Sequence, residues 1–122
     1  MKNRVATLAG SLLALLLIAG GAAAHAFLDS AVPAVGGTVR AAPERVTLRF
    51  TEPLEPAFSR IQVVDSAGRP VDKGDGKVDP KDPKQLAVSL PPLGPGAYKV
   101  VWRAVSLDTH ATNGDYGFVV SP

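Results

Sequence analysis

Three residues of this chain have the types and spacing that metal chemistry requires. Asp108 and His110 stand two positions apart in Ser106-Leu107-Asp108-Thr109-His110, and His25 directly follows an apolar N-terminal stretch. On an extended backbone, side chains at i and i+2 leave the same face, with alpha carbons roughly 6–7 Å apart. A carboxylate and an imidazole so placed can meet one small cation. An Asp-x-His pair alone is weak, since it reads equally as a surface carboxylate beside a surface histidine. His25 adds weight through its position. If the chain is cut after Ala24, His25 becomes the first residue and offers its α-amine together with ring Nδ1. The second donor of that chelate is already held near the ion. Two imidazoles, an amine and a carboxylate make a tetragonal N/O set that suits Cu(II), which tops the affinity order of the divalent first-row metals. Zinc competes for these donors but prefers a tetrahedral site.

Composition narrows the chemistry further. There is no cysteine, which excludes zinc-finger, thiol-redox and blue-copper centres and means that an exported domain would stand without disulfides. Met1 is the only methionine, so no thioether cluster exists to hold Cu(I).

Residues 1–24 are expected to be a cleaved secretory signal. Lys2 and Arg4 give a positive n-region, Leu8 to Ile18 an apolar h-region, and Ala22-Ala23-Ala24 the small residues a signal peptidase reads. No Arg-Arg pair or lipid-acceptor cysteine points to another export route. The alternative is a retained membrane anchor, because about 20 apolar residues span a bilayer; Gly10, Ser11, Gly20 and Gly21 dilute this run. Cleavage predicts a periplasmic or extracytoplasmic protein with no stable membrane insertion. The remaining domain, 25–122, is long enough for a single modest core. Of the 13 basic and 11 acidic residues, Lys2 and Arg4 leave with the signal. The domain is then formally neutral, with no basic run and no expected nucleic-acid partner.

Apolar residues recur with period two in short runs: Val46, Leu48 and Phe50; Ile61 and Val63; Leu86, Val88 and Leu90; Tyr98, Val100, Trp102 and Ala104; Tyr116, Phe118 and Val120. These are half-buried strands, with residues 26–30 as an edge strand. Gly/Pro turn signals separate the runs, and no sustained helical period appears. The expected fold is all-β, an immunoglobulin-like Greek-key β-sandwich or barrel. Leu93-Gly94-Pro95-Gly96-Ala97-Tyr98 resembles the tyrosine corner of such sandwiches. Residues 66–84 read as a solvated loop: Asp72, Asp75, Asp79 and Asp82 lack the order and closing glutamate of a calcium loop, and five cationic residues are interleaved with them.

Around the metal candidates, Trp102 and Phe118 are expected either beneath the site or simply in the core. Ser106, Thr112 and Asp115 are expected either to orient a ligand or to serve as surface or turn residues.

The chain resembles the CopC family of exported copper-binding proteins, small immunoglobulin-like β-barrels, over essentially all of residues 25–122. The likeness rests on His25-Ala26-Phe27-Leu28-Asp29-Ser30-Ala31-Val32-Pro33-Ala34, and on Val46-Thr47-Leu48-Arg49-Phe50-Thr51-Glu52-Pro53-Leu54-Glu55. It rests also on Gly96-Ala97-Tyr98-Lys99-Val100-Val101-Trp102-Arg103 followed by Ser106, Asp108, His110, Gly114 and Phe118. The resemblance implies that His25 gives an amine and a ring nitrogen, His110 a nitrogen and Asp108 an oxygen to Cu(II). The methionine-rich Cu(I) site of some members has no counterpart here. Thr109 stands where the family usually has glycine, and Ala111 where proline is common, so the loop geometry departs from the family pattern. Some relatives are fused to a membrane copper-transport domain; with no further apolar span before Pro122, a free carrier is expected.

Three functions compete on these residues. The first is a Cu(II) protein that buffers copper or passes it to a membrane transporter, without turnover. The second is an immunoglobulin-like interaction module with incidental histidines. The third is an oxidative enzyme whose amine and two histidines resemble a copper brace. Asp108 opposes the third, because it would fill the position that oxygen needs.

Overall fold

The computed structural model describes residues 25–122; the expected signal segment lies outside the described residues. Eight strands follow one another: β1 (Leu28–Val32), β2 (Thr38–Val39), β3 (Arg45–Phe50), β4 (Arg60–Asp65), β5 (Lys77–Asp79), β6 (Asp82–Ser89), β7 (Gly96–Val105) and β8 (Ala111–Val120). They form two four-stranded sheets, ordered β1-β3-β6-β5 and β2-β8-β7-β4. Every pairing is antiparallel except β2 with β8. This is the all-β, Greek-key sandwich expected from the alternation. Among the described residues, no helix is long and apolar enough to cross a membrane.

The period-two runs form the strands because one face of each can be dried. Val46, Leu48 and Phe50 of β3 meet Leu86 and Val88 of β6, and across the interior Val63, Val100, Tyr116 and Phe118. Each fully buried Leu, Val or Phe contributes about 1.5–3 kcal/mol relative to an exposed one. The tyrosine corner is present: the Tyr98 hydroxyl donates to the Gly94 carbonyl at 2.7 Å. Tyr116 is buried and donates to the Pro33 carbonyl at 2.7 Å, and burial pushes its phenol up to about 12.

Three boundaries differ from the expectation. β1 begins at Leu28 rather than Ala26, where the Phe27 N–H is taken by the Thr51 hydroxyl and not by a backbone carbonyl of the ladder. β8 begins at Ala111, well before Tyr116. Its first half is polar, so alternation could not reveal it; the ladder with β7 carries it. Residues 66–84 are only partly loop: β5 and the start of β6 lie within them. The carboxylates there accept backbone N–H groups rather than facing a common centre: Asp72 from Val63 and Gly74, each at 2.8 Å, Asp75 from Ser89 at 2.8 Å, and Asp79 from Lys81 at 2.8 Å. Asp82 pairs with Arg49.

Candidate metal centre

The site stands at one end of the sandwich, where β7 turns into β8. The Thr109 N–H donates to the Ser106 carbonyl at 2.9 Å, and the Ser106 N–H to the His110 carbonyl at 2.9 Å. Thr109 has φ +72°, alone among the non-glycine described residues in being positive. A tight turn followed by a left-handed residue is a favoured way to close a hairpin of this length. Asp108 and His110 therefore sit on a turn, and the extended geometry expected for them is corrected. They still approach one another, because the turn folds Asp108 back over the chain. The His110 Nδ1 lies 3.2 Å from an Asp108 carboxylate oxygen.

Ser106 is 2% exposed and its hydroxyl hydrogen-bonds the Asp108 carboxylate. That bond comes first in lowering Asp108 from 3.8 to about 2, with the neighbouring His110 adding to it. Asp108 is thus a carboxylate throughout the range in which imidazole titrates. A thiol-free site with a fixed negative oxygen beside a ring nitrogen fits a borderline divalent ion.

His25 arrives from the other side. Ala26 is fully buried in the core, and two threonines fix the backbone around it. The Phe27 N–H donates to the Thr51 hydroxyl at 3.0 Å, and the Thr51 N–H to the Phe27 carbonyl at 2.9 Å. The Thr112 hydroxyl donates to the Ala26 carbonyl at 2.6 Å. With Ala26 anchored between the ends of β3 and β8, the His25 ring comes to rest on the His110 ring. Their centroids are 4.6 Å apart, with the planes inclined by 30°.

All three predicted donors, His25, Asp108 and His110, are therefore gathered at one end of the fold. The rings stack rather than aim at a common point. Among the described residues no three His, Asp or Glu side chains form a closed metal-holding group. Closing on an ion requires rotation about the imidazole–methylene torsion, which is broad and soft.

The supporting residues sort differently from expectation. Ser106 orients Asp108 as anticipated. Thr112 holds the Ala26 carbonyl, which makes it a clamp on the segment carrying His25. Asp115 takes the surface alternative: it lies exposed on β8 opposite Val101, since alternation from buried Tyr116 sends it outward. Trp102 and Phe118 take the core alternative. The Trp102 ring meets Phe50 at 6.3 Å and Tyr116 at 6.2 Å, and Phe118 stacks on Tyr98 at 5.6 Å. Thr51 was missed as a site residue; a threonine closing an alternating strand carries no signal of its partner until the N-terminal segment is placed.

Comparison with known proteins gives this arrangement a context. The model of the CopC domain matches residues 28–121. Copper resistance protein C of Escherichia coli is 39% identical over 111 residues, covering 84% of this chain and 86% of its own length. Copper transport protein CutJ of Bacillus subtilis (strain 168) is 31% identical over 98 residues, which are 80% of this chain but 18% of that longer protein. The crystal structure of CopC from Methylosinus trichosporium OB3b matches with a TM-score of 0.75 at 40% identity, covering 80% of this chain and 95% of that one. With its sandwich, its copper-resistance relatives and its sequence motifs in agreement, this chain belongs to the CopC family.

Proposed function

We propose that this protein is an exported Cu(II) carrier that buffers copper and hands it to a membrane copper transporter. Its ligands are the α-amine and ring of His25, the ring of His110 and the carboxylate of Asp108. The observation that supports this most strongly is the 4.6 Å approach of the His25 and His110 rings, with Asp108 against the latter. Two histidines from opposite ends of the chain need a reason to meet, and a shared cation supplies one. The family's copper-resistance members and the printed name of the CutJ relative support copper as the cargo and transport as its context. A carrier is favoured over an oxidative enzyme because Asp108, as a ligand, would occupy the coordination position that oxygen needs.

The test is Cu(II) affinity of the chain beginning at His25, compared with its His110→Ala and Asp108→Ala variants, with circular dichroism following the fold. Loss of a supporting partner at a metal site already costs about 10–100-fold. Loss of a ligand is expected to cost about 100-fold or more while the β-sheet spectrum is kept. Affinity equal to the parent in both variants would refute the ligand assignment.

A further inference from the structure

The outer face of the β2-β8-β7-β4 sheet carries a feature that copper binding does not use. Arg60 on β4 and Arg103 on β7 are register partners, and both are exposed. Strand alternation sends them outward together, because their neighbours Ile61 and Ala104 are buried in the core. Opposed side chains on an antiparallel pair have Cβ atoms about 4.5–5.5 Å apart, where like charges destabilise the sheet. Lys99, opposite Val64, adds a third cation to the same face.

No ion pair among the described residues involves these charges: the pairs are Arg49–Asp82, Arg69–Asp65 and His110–Asp108. Asp115 shares the face but sits one rung along, opposite Val101. The same rung continues from Arg103 to Asn113 on β8, where the Arg103 guanidinium donates to the Asn113 side-chain oxygen at 3.4 Å. That contact draws the guanidinium toward β8, away from Arg60, and leaves the Asn113 amide NH₂ as a further donor; a shared anion would have to swing the Arg103 fork back over its own strand. A groove of about 400 Å³ lies over the rung; Arg60, Gln62, Arg103 and Asn113 line it together with the apolar Ile61, Val101 and Trp102.

We propose that Arg60 and Arg103 form an oxyanion site that takes a phosphate group, either free or on a phospholipid headgroup. Two guanidinium forks match the oxygen spacing of phosphate and can each bind it bidentately. Gln62 and Asn113 supply neutral donors at the edge. A bound anion would turn the repulsion between these register partners into attraction. The site is on the sheet face, whereas the histidines are at the end of the sandwich, so it stands or falls independently of copper.

The experiment uses metal-free chain beginning at His25, titrated with inorganic phosphate and, separately, with chloride at matched ionic strength. Amide resonances of Val101 and Asn113 are expected to shift saturably with phosphate and not with chloride. Arg60→Gln and Arg103→Gln should each weaken binding about tenfold, as expected for loss of charged hydrogen bonds. Lys81→Gln, in the turn between β5 and β6, should change nothing. Both arginine variants should melt no lower than the parent, since each relieves a repulsion. Co-sedimentation with phosphatidylglycerol and phosphatidylcholine vesicles separates the sources. Binding to phosphatidylglycerol alone, lost in Arg60→Gln, assigns the headgroup; phosphate binding without vesicle binding assigns the free anion. Phosphate shifts no larger than those of chloride, together with no arginine-dependent vesicle binding, would overturn the site. Phosphate affinity unchanged in both arginine variants would overturn it equally.

Discussion

The charge state of Asp108 is set by a neighbouring hydroxyl. Ser106 is buried beneath the turn and bonds the carboxylate, holding Asp108 down at about 2. Replacing Ser106 with Ala should let that value rise toward the ordinary carboxylate range, as read from the pH dependence of the Asp108 carboxyl carbon resonance. Because the folded value is lowered, the stabilisation from this ionised carboxylate is full above the unfolded value near 3.8. It is lost as pH falls through about 2. Acid loss of copper near neutrality therefore belongs to the nitrogen donors. Thr109 presents a different residue-scale conflict. An L-residue in the left-handed region costs roughly 1–2 kcal/mol, and a β-branched one is unusual there. Thr109→Gly removes that cost but adds roughly 0.5–1 kcal/mol of backbone entropy. Chemical denaturation should show a net gain of ~0.5–1 kcal/mol, and a loss would mean that the Thr109 hydroxyl bond to the Asp108 carbonyl, 2.5 Å, outweighs the backbone conflict.

Among the elements, the β7–β8 hairpin and the segment entering β1 do most to build the site. Thr112 of β8 ties the hairpin to that segment through the Ala26 carbonyl, and Thr51 ties the segment to the end of β3 through the Phe27 N–H. Thr51→Val and Thr112→Val keep the shape and delete the hydroxyl, so each should weaken Cu(II) binding about tenfold with little change in sheet content. The hairpin also explains Gly114. It pairs with Trp102, whose ring covers it so closely that a Cβ would fall 2.3 Å from a ring carbon. Gly114→Ala should therefore cost about 1–3 kcal/mol by overpacking, measured by thermal or urea unfolding. These elements show what was legible beforehand. Val46, Leu48, Phe50, Val100 and Phe118 announced their strands by alternation, because each strand has one dry face. Asp108 and His110 announced a site by residue type. The turn beneath them was hidden, since Thr109 occupies a position that glycine would have flagged. The first half of β8 and the short β5 were hidden as well, because their pairing is made by backbone hydrogen bonds and not by side-chain pattern. Thr51 and Thr112 were invisible as a clamp because they act on a segment remote in sequence.

For the molecule as a whole, the sandwich separates stability from metal chemistry. The core is closed between the sheets, with Leu48, Phe50, Val63, Val100 and Phe118 all nearly or fully buried, while the donors cluster at one exposed end. Substitutions at His25 or His110 should thus leave the unfolding midpoint of the metal-free protein nearly unchanged, whereas replacing Asp108, which the Ser106 hydroxyl holds, should lower it modestly without unfolding the sandwich. Copper affinity should fall below roughly pH 6, as protons compete for imidazole and amine; a binding curve flat from about pH 8 to pH 4 would contradict nitrogen ligation. The most direct measurement is a Cu(II) titration followed by fluorescence of Trp102, the one tryptophan. It compares the chain beginning at His25 with the same chain bearing one additional N-terminal residue. Strong binding by the first and a large loss in the second is the predicted result, because the added residue removes the α-amine while leaving all three side chains in place. Equal affinity in the two would contradict the N-terminal chelate.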